Sequence, residues 1–282
     1  MQAVGVGFSD IGRHRATNED ALFIDDELGL YMVSDGMGGH AGGEIAAQLA
    51  IATAARHIWH RRTAIEQIRN GERPENQLSH LAATAVSEAS SAVLRMAREN
   101  RKLKGMGCTL TILLLGRHSA FMAHVGDSRL YLERDGTVRQ LSTDHNVAQE
   151  LLMMGVIMPE EVPHLWGGRA LTEAVGVKER VRMEELAIEL EPDDRFILCS
   201  DGLSDYLEEP HQLSVLLADE ELEFSAEKLV AFANDSGGRD NISAIVVDIG
   251  HEIQAMPVFK HTVTTRLEYP GRAPRNSMTR PA

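Results

Sequence analysis

Cysteine is scarce in this 282-residue chain: there are two, Cys108 and Cys199, and they form no C-x-x-C pair. Nothing therefore points to a zinc or dithiol redox site. Both sit in apolar, strand-like runs and read as small core residues in a reducing compartment. Positive charge is also short. Lys and Arg number 28 against 42 Asp and Glu, for a formal net charge of −14, which disfavours a nucleic-acid backbone as main partner. The longest aliphatic run, residues 110–115, is far below the roughly 20 residues that span a bilayer. No basic start followed by an apolar stretch opens the sequence, so a cytoplasmic location is expected. No repeat of solenoid period is present.

What is present is ordinary for a soluble globular protein: 43% hydrophobic and 25% charged residues, in a length that suits one large domain or two small ones. Short apolar runs at 4–8, 21–24, 28–34, 186–190, 195–200 and 242–249 predict strands. The runs at 108–115, 120–125, 129–133 and 138–141, joined by short turns with Arg134-Asp135-Gly136 in a hairpin, predict a meander in one antiparallel sheet. Helical spacing predicts helices over 44–59, with Ile45, Leu49, Ala52, Ala55 and Trp59 facing inward, and over 78–98, 145–154, 210–217 and 225–234. Residues 69–76 and the Pro- and Gly-bearing stretch 155–168 read as loops. Helices arrive in blocks between groups of strands, which indicates an α+β fold with helices layered on sheets. Residues 251–282, with four prolines and an excess of arginine, read as a disordered basic tail after a domain of residues 1–250.

Acidic residues recur at predicted strand ends. Arg15-Ala16-Thr17-Asn18-Glu19-Asp20 opens a strand. Asp35-Gly36-Met37-Gly38-Gly39-His40 follows one and precedes a helix. Gly126-Asp127-Ser128-Arg129 lies between two strands, Ser200-Asp201-Gly202 ends one, and Asp240-Asn241 precedes the last. Each alone has a plain reading: Asp-Gly is a common turn, Asp127 could bond nearby amides, and Arg15 and His40 could be surface residues. Together, carboxylates without regularly spaced His or Cys favour Mg²⁺ or Mn²⁺ over Zn²⁺. Two such ions, about 3.5–4 Å apart, can share a water and sharpen it as a nucleophile.

In order, R-x-x-N-E-D, D-G-M-G-G-H, G-D-S-R, S-D-G-L and G-x-x-D-N-I-S closely resemble the PPM-type metal-dependent serine/threonine protein phosphatases, over roughly residues 6–248. The resemblance implies a four-layer α-β-β-α sandwich of two antiparallel sheets, with metals in a cleft at one end. It implies that Asp35 bridges two core ions and that the Gly36 carbonyl binds one of them, with Asp201 and Asp240 completing the other site. Glu19 and Asp20 would act through metal-bound waters, and Asp127 would share a third, weaker ion with Asp201. Arg15 would hold the substrate phosphate, and His40 would protonate the leaving alkoxide. Hydrolysis would proceed by the bridging water with no phosphoenzyme. In agreement, neither cysteine has an arginine six positions on, as a cysteine-nucleophile loop requires. The expected partners are phosphorylated proteins and a cognate bacterial serine/threonine kinase, and the lone domain suggests a monomer. One departure is Glu173, in Leu171-Thr172-Glu173-Ala174-Val175-Gly176, where the family often carries a basic residue. The stretch 146–168 corresponds to a variable flap. A catalytically silent phosphoprotein-binding domain, or a hydrolase of another phosphoester, are the competing readings.

Overall fold

Strand-favouring aliphatic residues occupy twelve short segments that pair into two five-stranded antiparallel sheets and one small two-stranded ladder. The computed structural model describes residues 2–38, 42–218 and 220–250. His40 and the 251–282 segment lie outside the described residues. The strands are β1 (Gln2–Asp10), β2 (Ala21–Asp25), β3 (Leu30–Ser34), β4 (Gly36–Met37), β5 (Gly107–Cys108), β6 (Leu110–Leu115), β7 (Ser119–Val125), β8 (Arg129–Arg134), β9 (Thr137–Gln140), β10 (Glu184–Glu189), β11 (Arg195–Cys199) and β12 (Ile242–Gly250). The helices are α1 (Gly42–Trp59), α2 (Arg62–Arg69), α3 (Gln77–Glu99), α4 (Val147–Met153), α5 (Asp201–Ser204), α6 (His211–Leu217) and α7 (Leu222–Asp235).

The first sheet runs β1-β12-β11-β8-β9 and the second β10-β7-β6-β3-β2. Their facing sides bury Leu22, Tyr31, Val33 and Leu113 from one against Phe196, Leu198, Ile245 and Val247 from the other. Helices α1 and α3 cover the outer face of the second sheet, and α6 and α7 that of the first. This is the four-layer α-β-β-α sandwich. Apolar burial on both faces explains why β6 and β12 read as nearly continuous aliphatic runs rather than alternating ones. Among the described residues no helix is long and apolar enough to cross a membrane.

The meander expectation is corrected. The β6-β7 hairpin belongs to the second sheet and the β8-β9 hairpin to the first. The chain changes sheet at Gly126-Asp127-Ser128, where Gly126 takes φ +112°, a conformation that L side chains avoid. The crossover leaves Asp127 at the common end of both sheets. The inward face of α1 is corrected too. Ala55 is buried as expected, but so are Ala46, Ala47, Ala50, Ile51, Ala54 and Ile58, while Ile45, Leu49, Ala52 and Trp59 are only partly buried on its flanks. Alanines let α1 approach sheet and α3 closely, so the bulky residues are displaced to the edges. Helix α2 falls where no helix was expected, burying Ile65 and Ile68.

Leu198 is fully buried between the sheets. Leu198→Ala is expected to cost about 2–5 kcal/mol, read as a lower urea midpoint with an unchanged slope. A loss below 1 kcal/mol would contradict the two-sheet core.

Candidate active site

One end of the sandwich collects the strand-end carboxylates. Glu19, Asp35, Asp127, Asp201 and Asp240 line a cleft of about 540 Å³, with Arg15 at its edge. Asp20 lies behind them, 4% exposed. These acids come from five chain segments, brought together by strand order rather than by sequence proximity. Asp35 leaves β3 with its backbone clamped: its N–H donates to Thr109 Oγ1 (2.8 Å), and its carbonyl accepts from Thr109 N–H (2.8 Å). Asp201 opens α5, and Gly202 behind it packs so closely on the Asn241 carbonyl that a β-carbon there would collide with it. That approach sets Asp201 beside Asp240. Asn241 in turn accepts from Glu19 N–H (2.8 Å) and donates to Ile11 and Thr17 carbonyls, fixing the loop that carries Arg15.

The electrostatics are those of crowded, dry carboxylates. Burial and the neighbouring Asp201 and Asp240 push Asp20 up to about 7, although Ser200 Oγ donates to it (2.8 Å). Burial, then repulsion from Asp20, Asp201 and Asp127, holds Asp35 well above the usual carboxylate range. Asp127 and Asp201 are raised for the same reasons, burial first. Asp20 Oδ1 and Asp201 Oδ1 are buried with no hydrogen-bond partner. Unpartnered, acceptor-only hard oxygens crowded at one cleft are the donor set that Mg²⁺ or Mn²⁺ takes, so the residues present fit such ions.

Arg15, half-exposed, donates to Asp240 Oδ2 at 2.5 Å. Glu19 and Arg15 lie close enough to affect each other's charge. Glu173 is not in the cleft lining; it pairs with Lys178 Nζ (3.1 Å), so its acidic character is spent on a local salt bridge. Both cysteines are buried, with their thiols pushed up to about 12 by desolvation.

Several contributors escaped sequence reasoning. Arg169 lines the cleft and forms an ion pair with Asp205; it stands one residue past the loop whose glycines drew attention, and no periodicity marks it. Thr109 and Ser200 orient acids through hydroxyls, for which a single threonine or serine gives no signal. A second cluster, His124, His145 and Glu184, brings potential metal ligands within 4.8 Å of one another. Three of its four ring nitrogens are already committed. His124 Nε2 faces the Gly126 and Thr143 carbonyls (3.0 and 3.2 Å) and so carries the proton, while Nδ1 pairs with Thr111 Oγ1 (2.9 Å). His145 Nδ1 accepts the Gly126 N–H (3.2 Å), and the Gly126 carbonyl accepts from the backbone N–H of His145 (2.7 Å). Burial and the adjacent His145 push His124 down to about 3. The His124–His145 pair braces the crossover that carries Asp127.

Fold and cleft together define an acidic cleft, suited by its donors to divalent cations, at the end of a β-sandwich, and known proteins share the fold. A family profile described as Protein phosphatase 2C matches residues 12–234. The serine/threonine phosphatase stp of Listeria welshimeri is 32% identical over 246 residues, covering 85% of this chain and 93% of that protein. The serine/threonine protein phosphatase PstP of Mycobacterium tuberculosis is 36% identical over 241 residues, 86% of this chain but 44% of PstP, so the chain spans under half of that relative. The catalytic domain of a PstP, crystallised with two manganese ions, superposes with a TM-score of 0.75 at 34% identity, covering 89% of this chain and 99% of that one. The chain belongs to the protein phosphatase 2C family.

Asp20, raised to about 7, sits above the ordinary aspartate value of about 3.9. The folded cation-free protein therefore binds an extra proton between those values. The cluster's contribution to stability is fullest below pH 4 and is lost as pH climbs to about 7. Mn²⁺ competes with protons for the same oxygens. It is expected to raise the melting temperature of chelator-treated protein more at pH 8 than at pH 5. Equal shifts at both pH values would count against this cluster as the cation site.

Proposed function

We propose that the chain hydrolyses phosphoserine and phosphothreonine in proteins, opposing a bacterial serine/threonine kinase in the cytoplasm, as a monomer. The observation that carries the reading is the convergence of Asp35, Asp127, Asp201, Asp240 and Glu19 with Arg15 in one cleft. The names of the relatives, serine/threonine phosphatases, support it.

Asp35, the Gly36 carbonyl, Asp201 and Asp240 would hold two core Mn²⁺ or Mg²⁺ ions. Glu19 and Asp20 would act through the ions' water shell, and Asp127 would share a third ion with Asp201. Bound there, such ions offset the negative charge of a phosphate and supply an activated water. The protein's own part is orientation and proton supply. Arg15 offers a planar fork of donors that fits two phosphate oxygens; Asp240 holds that fork at the cleft edge and yields part of it when phosphate arrives. Serine and threonine alkoxides are poor leaving groups, and His40 would supply the proton they need. Thr109, Ser200 and Asn241 keep the acids from drifting apart, so little reorganisation accompanies the reaction.

Hydrolysis of an aryl phosphate and of a phosphothreonine peptide is expected with Mn²⁺ and should vanish with chelator. Asp201→Asn should lower kcat/KM at least about 100-fold, roughly the 2.7 kcal/mol that one well-placed transition-state group supplies. Arg15→Ala should act mainly on KM. A phosphotyrosine peptide should be a poor substrate. Turnover that survives metal stripping, or calorimetric Mn²⁺ binding without any hydrolysis, would overturn the assignment.

A further inference from the structure

Behind one lip of the cleft lies a second concavity of opposite charge. It holds about 380 Å³ between the end of α3, the 3₁₀ turn Arg101–Leu103 and the loop at Gly176-Val177. Leu94, Ala97 and Val177 give it an apolar floor; Arg98, Arg101 and Lys104 rim it. These cations belong to an Arg-Glu-Asn-Arg-Lys-Leu-Lys run in a chain of net charge −14. Arg98 has a structural duty: it sits in the last turn of α3, where the helix dipole favours a cation, and pairs with Glu179 at 3.0 Å. Arg101, Lys102 and Lys104 have none. They are exposed, and no carboxylate among the described residues forms a salt bridge with any of them. Val177 is 46% exposed at the edge of the floor. Unpaired cations around uncovered aliphatic surface favour an anionic partner that also carries an apolar side chain.

The groove shares a wall with the cleft. Residues 105–108 leave its rim and pair as β5 with β4 (Gly36↔Cys108, Met37↔Gly107), and Gly36, Met37 and Gly38 line the cleft. Gly107 is wedged so that a β-carbon there would meet both Val177 of the groove and Met37 of the cleft. On the other side, Val175 bridges Cys108, linking the groove's Gly176-Val177 to Leu171 at the cleft. A chain entering the cleft can therefore continue over β4-β5 into the groove within a few extended residues, each about 3.4 Å long.

We infer that this groove docks an acidic segment of the substrate phosphoprotein, bearing one aliphatic side chain, a few residues from the phosphorylated serine or threonine. The inference rests on the phosphatase reading and adds a substrate class to it: phosphosites flanked by Asp and Glu. An anionic membrane surface is the rival partner. The apolar floor continuous with the cleft wall fits a side chain of a peptide lying across both better than a lipid headgroup.

The test uses the full chain and Arg101→Glu/Lys104→Glu, whose exposed side chains leave the fold intact by melting curve. Three substrates are compared: an aryl phosphate, a phosphothreonine peptide with neutral flanks, and the same peptide with Asp, Glu and one Leu placed three to eight residues away. Wild type should prefer the acidic peptide by about tenfold in kcat/KM, through KM, the sum expected of a few exposed ion pairs. The preference should vanish in the double variant and at high salt, with aryl phosphate turnover unchanged. Equal use of the two peptides by wild type would overturn the inference. So would a variant that slows all three substrates alike, or a variant whose only loss is co-sedimentation with phosphatidylglycerol vesicles. Fluorescence anisotropy of a labelled, unphosphorylated acidic peptide reads the groove without turnover. The variant should bind it about tenfold more weakly; equal binding overturns the groove. Absence of hydrolysis on every substrate, with this binding difference intact, would fault the phosphatase reading alone.

Discussion

The cost of burying carboxylates together, desolvation first and mutual repulsion second, is the constraint on which this molecule is built. Asp20, Asp35, Asp127 and Asp201 are all raised, by burial first and then by neighbouring carboxylates, which for Asp201 is Asp240. For Asp20, raised from 3.8 to about 7, the penalty is roughly 4 kcal/mol at about 1.4 kcal/mol per unit. A chain free to relax would let these groups swing into water. They stay because each leaves a strand or helix end whose own position is fixed by the sandwich core, not by the acids. The stability of the two sheets is therefore what holds the charge in place, and a divalent cation of the kind the donor set fits would offset it on binding.

The framework shows how the load is shared. Backbone pairing places the acids, and small neutral groups hold them at their angles: the Thr109 clamp on Asp35, Ser200 on Asp20, Asn241 on the Glu19 loop. The His124–His145 brace does the same for the crossover at Gly126. None of these groups adds charge, so the positive side of the balance is left to Arg15, Arg169 and the cation the site fits. A layer of charged supports would have competed with the cation for the same oxygens.

Strand and helix positions were readable wherever apolar runs were long and bounded by turn residues, as at β3, β6 and β12. The acids were readable because Asp-Gly at a strand end combines a metal-ligand type with a turn. Three things were not. Which sheet a hairpin joins depends on long-range packing, so β8-β9 was assigned to the sheet of β6-β7; only the glycine at 126 hinted at the change. The buried face of α1 was misjudged because periodicity weights bulky residues, whereas close helix packing here is made by alanine. Arg169 and its pair with Asp205 stayed hidden because an arginine in an irregular loop looks like any surface charge until the fold turns it toward the cleft.

The overall charge of −14 would appear to repel a phosphoprotein. Screening decides otherwise. At physiological ionic strength the Debye length is about 8 Å, shorter than the reach across the sandwich, so a phosphate at the cleft responds to the charges beside it. Those are Arg15, Arg169 and the cleft carboxylates, whose charge a bound divalent cation would offset. A flanking acidic segment likewise responds to Arg101 and Lys104, for which no carboxylate among the described residues forms a salt bridge. The acidic remainder of the surface raises the cost of docking an anionic segment against it. Selectivity for where a substrate lies, rather than raw affinity, is what an acidic protein gains from one basic groove.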